Sequence, residues 1–196
     1  FCMCPGGFIV PAATAKEEIV VNGMSPSKRN SLYANSGIIV EINVQQDLSK
    51  YDHFGPLKAL EYQKNLEKLA FTSGGRTQSA PAQRMTDFVE GRFSNNLNDC
   101  SYQPGLKSAP LHSLLPKIIG SRLRTGLKEF GKKMKGYYTE QANVIGVESR
   151  TSSPVSIPRN DTLEHIKIKG LYPCGEGGGY AGGIISAAMD GERCAE

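Results

Sequence analysis

No apolar run in these 196 residues approaches the roughly 18 that a membrane-crossing helix needs, and no basic-then-apolar leader opens the chain. Neither insertion nor secretion is indicated, and a cytoplasmic setting is the expectation. The chain also lacks any C-x-x-C pair. Its five cysteines, Cys2, Cys4, Cys100, Cys174 and Cys194, form an odd set that argues against a disulfide framework and a structural zinc site. Reduced thiols are expected. His53, His112 and His165 are scattered without ligand spacing, so no metal site is expected and none of the three is assigned to catalysis. A strong charge excess is missing too: 23 basic against 19 acidic side chains leave +4, which alone predicts no nucleic-acid partner.

The composition that remains, 39% hydrophobic and 21% charged, is enough to bury a core as one large domain or as one domain plus a piece of another. Short strands are expected at Phe8 to Val10 and Glu18 to Val21, the second ended by an Asn22-Gly23 turn signal. The β-branched run "IIVEINV", Ile38 to Val44, reads as the clearest strand. Leu57 to Phe71 has helical periodicity and stops at Gly74-Gly75; Arg76 to Gln83 reads as turn-rich and Ser94 to Ser108 as loop. Between Pro116 and Lys135, Ile118, Leu123, Leu127, Phe130 and Met134 recur at helical spacing. Seven cations share that stretch with the single acid Glu129, giving a helix with a basic outer face. A solvated face is the plain reading of it; a cofactor phosphate or an acidic partner is the alternative. Ala142 to Val147 reads as a further strand. The mixture places the fold in the α/β or α+β class.

The closing stretch, "GLYPCGEGGGYAGGIISAAMDGERCAE", carries the chemistry. Ile166, Ile168, Leu171 and Tyr172 read as a strand, six glycines crowd from Gly175 to Gly183, and Ile184 to Cys194 reads as a helix. Gly177, Gly179 and Gly182 satisfy G-x-G-x-x-G, in which small residues let backbone N–H groups approach a pyrophosphate at a helix N-terminus. The chain stops before a second strand or a ribose-binding acid about 20 residues further on, so this is no complete Rossmann half. Close helix packing is the other use of such glycines.

The tail resembles the last strand, glycine loop and helix of two-dinucleotide-binding flavoproteins. With "FCMCPGG", "RNSLYANSGIIVEI", "GGRTQSAPAQRMTDF", "YQPGL" followed by "LLP", and "VESRTSSPV", nearly the whole chain resembles the C-terminal part of a bacterial family of FAD-dependent dehydrogenases. The resemblance implies a discontinuous FAD domain. Residues 1–22 would be a connection from it, 23–148 an inserted substrate domain, and 149–196 the returning FAD-domain segment. The N-terminal FAD-binding half would be the missing partner, a small molecule the substrate, and NAD(P)H a candidate electron donor. A chain of this kind is expected to be a fragment, inactive alone.

Site residues follow from that implication. Gly175, Glu176, Gly177, Gly179, Tyr180, Ala181, Gly182, Gly183 and Ile184 would line the cofactor, with Glu176 accepting from a ribityl hydroxyl or a phosphate-bound water; capping of the helix is its alternative task. Arg150, Ser152 and Ser153 would orient substrate or the flavin pyrimidine edge, unless they only stabilise their own loop. Gln83 and Arg84 are candidates for the substrate pocket. Cys2 and Cys4 share one face of a strand at i and i+2 and are redox candidates, although a C-x-C disulfide is strained and buried thiols pack as small hydrophobes. The competing function class is a non-catalytic domain that recognises a protein or RNA through the basic helix.

Overall fold

The computed structural model describes residues 2–196. In chain order its elements are β1 (Cys2–Cys4), β2 (Phe8–Pro11), β3 (Val21–Met24), β4 (Asn35–Gly37), α1 (Val44–Asp47), a 3-10 segment (Ser49–Leu57), α2 (Lys58–Ser73), β5 (Ala80–Arg84), α3 (Met85–Glu90), β6 (Leu106–Ser108), α4 (Leu111–Leu114), α5 (Lys117–Lys133), β7 (Asn143–Ile145) and α6 (Ile184–Ala195). Helices and small sheets alternate, as the mixed class requires. The chain separates into two compact units, Phe1–Ile42 with Lys64–Ser149, and Asn43–Gln63 with Arg150–Glu196.

In the first unit, β1 pairs antiparallel with β4, and β2 with β3. A three-stranded sheet has β5 at its centre, parallel to β6 and antiparallel to β7. Two apolar clusters hold this unit. Ile19, Val21, Ala70, Ala80 and Tyr102 form one; Met85, Phe88, Val89, Leu111 and Leu127 form the other, where α3, α4 and α5 meet. Phe88 is fully buried. Helix α5 turns Leu127 into that cluster and sends its cations outward, but several have tasks within the chain. Arg124 donates Nε to the Val89 carbonyl at 2.7 Å, Arg122 donates to the Glu41 carbonyl at 2.8 Å, and Lys132 pairs with Glu129 at 2.6 Å.

Four expectations are corrected. The strand read at Glu18 to Val21 lies later, as β3, and runs through Asn22 and Gly23, which pair with Val10 and Ile9 in the ladder instead of turning the chain. Ala80–Arg84, inside the stretch read as turn-rich at its end, is the central strand: Ala80, Pro81, Ala82 and Gln83 are all buried, so small side chains fit where both faces are covered. Residues 38–43 form no strand. The Glu41 carbonyl is taken by Arg122, and Asn43 caps α1 by accepting from the N–H groups of Gln45 and Gln46 at 3.1 Å each, so β-branched residues here found no ladder. Residues 166–172 are not a strand either. His165 Nδ1 accepts from the N–H groups of Lys167 and Ile168, and Glu164 accepts from Gly170, whose φ is +78°. Side-chain acceptors capture the backbone donors that a ladder would need.

Candidate functional site

The glycine loop and α6 lie in the second unit and are built around one acid. Ala187, Asp190, Gly191 and Cys194 share the covered side of α6, while Ile184, Ile185 and Met189 on its other side are 89%, 72% and 59% exposed. Asp190 reaches back to the start of the loop. Its Oδ2 accepts the Gly175 N–H at 2.9 Å and Arg159 Nη1 at 3.0 Å; its Oδ1 accepts Arg159 Nη2 at 2.7 Å. Nη1 of Arg159 also donates to the Pro173 carbonyl at 2.9 Å, and the guanidinium lies 3.7 Å from the centroid of the Tyr180 ring. The Tyr180 hydroxyl donates to the Ile157 carbonyl at 2.8 Å. One buried fork therefore fixes both ends of the loop, Pro173 and Gly175 at its entry and Tyr180 near its exit.

The Arg159 hydrogen bonds, followed by that of the Gly175 N–H, hold the Asp190 carboxyl down to about 2. A depressed carboxylate stabilises the fold in its ionised form, so this contribution is full above the ordinary Asp value of about 3.9 and disappears as pH falls through about 2. Asp190→Asn is expected to lower Tm by several degrees at neutral pH and to loosen the loop, since Arg159 keeps its charge without a counter-ion. The Gly175 amide resonance checks this: it titrates near the carboxyl value in the native chain and shows no such step in the variant.

The loop glycines fall into two groups. Gly175 and Gly179 have φ of +66° and +84°, and a Cβ on Gly179 would sit 2.7 Å from the Val155 carbonyl oxygen; one on Gly178 would sit 2.9 Å from that of Cys174. These three serve the loop itself. Gly177 and Gly182 are different. A Cβ on either meets nothing within 4 Å, and neither has a positive φ. Their lack of a side chain is not explained by the packing of this chain; it leaves bare backbone within the loop at Gly177 and just before the first turn of α6 at Gly182. The N-cap residue Gly183 is extended and supplies no side-chain cap, and the N–H groups of Gly182, Gly183 and Ile184 meet no acceptor among the described residues. Exposed donors, a helix positive end and open backbone suit an anionic, phosphate-bearing group. A dinucleotide such as FAD fits that donor set.

The other sequence candidates are distributed as follows. Glu176 is exposed, and its carbonyl accepts the Gly179 N–H at 2.9 Å. Tyr180 has both hydroxyl and ring engaged, and Ala181 is half-buried. Ser152 is exposed; Ser153 Oγ is within donating distance of the Val155 carbonyl of its own loop at 2.7 Å and of the Gly177 carbonyl of the glycine loop at 3.3 Å; Arg150 is half-buried. Gln83 lies in the first unit, fully buried. Its amide nitrogen donates to the Arg92 carbonyl, and its oxygen accepts the His112 N–H at 3.2 Å. Arg84 donates Nε to the Asn96 carbonyl at 2.9 Å. Cys2 is exposed and Cys4 buried, both in β1. Arg159 and Asp190 escaped the sequence reading. The available signal was an acid on the small-residue side of a helix, with Ala187, Gly191 and Cys194, where only a paired charge is tolerated.

Residues 1–151 match the family model described as "FAD-dependent protein, C-terminal domain-like". A protein of Clostridium beijerinckii, described as "Uncharacterized protein", is 43% identical over 198 residues, which cover 100% of this chain and 36% of that protein. The chain thus spans about a third of the length of this relative, and the glycine tail lies beyond the family-matched residues but within the stretch shared with it. The matched stretch is more than half of the chain, and the chain therefore belongs to the FAD-dependent protein, C-terminal domain-like family.

Proposed function

We propose that this chain works within a longer polypeptide as one edge of an FAD site and as the substrate-side part of a flavin-dependent dehydrogenase. The observation that carries the reading is the open glycine Gly182 just before the uncapped first turn of α6, with a second open glycine, Gly177, earlier in the same loop. In this reading 149–196 completes the FAD domain, 23–148 forms the substrate domain and 1–22 connects them. The length of the relative accommodates a separate FAD-binding half. Ile184, Ile185 and Met189 then cease to be exposed, because the completed FAD domain covers them.

The residues divide the work. Gly182, Gly183 and Ile184 donate N–H groups to phosphate oxygens or to negative charge on the flavin. Glu176 accepts from a hydroxyl of the cofactor chain. Arg159 and Asp190 position these groups by fixing the loop, without touching the cofactor. Arg150 and Ser152 orient the substrate or the flavin pyrimidine edge. FAD, when bound, supplies the two-electron chemistry, with a small molecule or NAD(P)H as donor. Gln83 acts through the walls of the first unit, since its amide is already engaged.

The test is the absorption spectrum of the purified longer polypeptide. A flavin spectrum near one FAD per chain, bleached under anaerobic conditions by NAD(P)H or another two-electron donor, is the expected result. A colourless protein that takes up no FAD and instead binds RNA in a salt-sensitive manner overturns the proposal in favour of a binding domain.

A further inference from the structure

Large apolar side chains in solvent are unevenly placed in the first unit. Apart from Phe93, every one among the described residues lies before residue 40. Phe8 and Met24 stand opposite each other across the β2–β3 ladder, both exposed, on the side away from Ile9, which packs on the core. A loop is tied to that pair at the turn "CPGG". Ser31 Oγ lies 3.0 Å from the carbonyl oxygens of both Gly7 and Tyr33, and a Cβ on Gly7 would sit 2.4 Å from the Met24 carbonyl oxygen. Leu32, 95% exposed, and Tyr33 therefore leave the backbone at the same corner as Phe8 and Met24.

The charge at this corner has one sign. The loop carries Lys28 and Arg29, both exposed, and no acid occurs from Ile19 to Val40. Neither side chain makes a hydrogen bond or ion pair among the described residues. Glu148 overlooks Gly37, at the end of the β1–β4 ladder away from the turn. Arg29 is also held in the left-handed region, φ +46°, which side chains seldom adopt. Its N–H donates to the Pro26 carbonyl at 3.0 Å, and its own carbonyl oxygen stands so close to Gly6 that a Cβ there would be 2.0 Å away. Strain kept in place by surrounding contacts belongs to positions shaped for a task beyond packing. The N–H groups of Arg29, Ser31 and Tyr33 are already spent on Pro26, Gly6 and Ser31 Oγ, so no run of backbone donors forms the nest that a phosphate takes. What remains is a planar guanidinium, whose fork matches the two oxygens of a carboxylate.

We propose that this corner binds a small organic acid with an apolar body, Arg29 taking the carboxylate, Lys28 adding to the positive field, and Phe8, Met24, Leu32 and Tyr33 covering the body. The pinned backbone presents the guanidinium without a loop-ordering cost at the moment of binding. Apolar contact supplies affinity for any molecule of that shape, and the fork selects those that end in a carboxylate. This deepens the reading of 23–148 as the substrate domain and rests on it, the acid being the small-molecule substrate of that reading.

The test titrates the 196-residue chain, without flavin, with octanoate, octanol and octyl phosphate while its amide resonances are followed. Octanoate is expected to shift the resonances of Phe8 and of Lys28 to Tyr33, and to bind more tightly than either of the other two. Arg29→Gln is expected to weaken octanoate about tenfold and to leave octanol unchanged. Arg29→Lys, which keeps the charge and loses the fork, is expected to weaken it several-fold. Leu32→Ser is expected to weaken octanoate and octanol alike. These side chains are exposed, so each variant is expected to keep the native Tm. Octanoate that moves none of these resonances, octanol or octyl phosphate bound as tightly as octanoate, or native affinity in Arg29→Gln overturns the proposal. Failure here with a longer polypeptide that carries FAD removes this inference alone; octanoate bound through Arg29, with a longer polypeptide that takes up no FAD, removes the flavin reading and leaves an acid-binding site.

Discussion

Gly182→Leu is expected to strip FAD from the longer polypeptide while leaving the fold in place. The reasoning starts from the empty space at this position: a Cβ there meets nothing within 4 Å and the backbone has no positive φ, so the chain itself tolerates a side chain. What leucine fills is the approach to the N–H groups of Gly182, Gly183 and Ile184. A group that must come within hydrogen-bond distance of bare backbone is then held off by a branched side chain, and occupancy is expected to fall roughly tenfold or more, an affinity loss of at least about 1.4 kcal/mol. Glu176→Gln keeps an acceptor oxygen and is expected to weaken binding less. Gly179→Leu is the contrasting control. Its Cβ collides with Val155 at a φ of +84°, so it should lose cofactor and Tm together. The measurements are the flavin-to-protein absorbance ratio and Tm for each variant. Full flavin occupancy in a folded Gly182→Leu protein would falsify the placement of the cofactor at this loop.

Periodicity made the long helices legible. α2 and α5 were each visible as apolar residues at helical spacing, because a helix repeats its buried side several times within its own sequence. Strands of three to five residues repeat nothing. "IIVEINV" has strong β propensity, yet propensity measures the fit to a paired ladder, and its neighbours supply none. "APAQR" lacks that propensity and is still the central strand, since two covered faces favour small residues. The glycine loop was legible as a motif, but its division into packing glycines and open ones depends on Val155 and Cys174, which no spacing rule connects to Gly178 and Gly179. Arg159 and Asp190 illustrate the same limit. They are 31 residues apart, and their pairing exists only once the loop has folded back on α6.

The chain of 196 residues by itself is expected to bind FAD weakly or not at all and to show no dehydrogenase activity. In the flavoproteins that it resembles, the adenine half and the pyrophosphate rest mainly on an N-terminal βαβ unit. No second glycine fingerprint following a strand occurs between Phe1 and Leu171. What this chain offers is the junction at Gly182 to Ile184, the acceptor Glu176 and an apolar helix side whose isoleucines stand in solvent. A few hydrogen bonds from one edge must offset the loss of translational and rotational freedom, roughly 4–15 kcal/mol, before any net affinity remains. Desolvating the phosphates adds to that cost, because an open edge leaves most of their oxygens in water and gains little from the low dielectric of a closed site. The loop itself does not limit binding, since Arg159 and Asp190 already hold it in shape. Titration of the purified chain with FAD, followed by flavin fluorescence and calorimetry, is expected to give a dissociation constant well above the micromolar range, and addition of the separate FAD-binding half is expected to restore tight binding. Near-stoichiometric binding at micromolar FAD by this chain alone would mean that the cofactor site is complete within it, and that the apolar side of α6 faces the cofactor rather than the rest of an FAD domain.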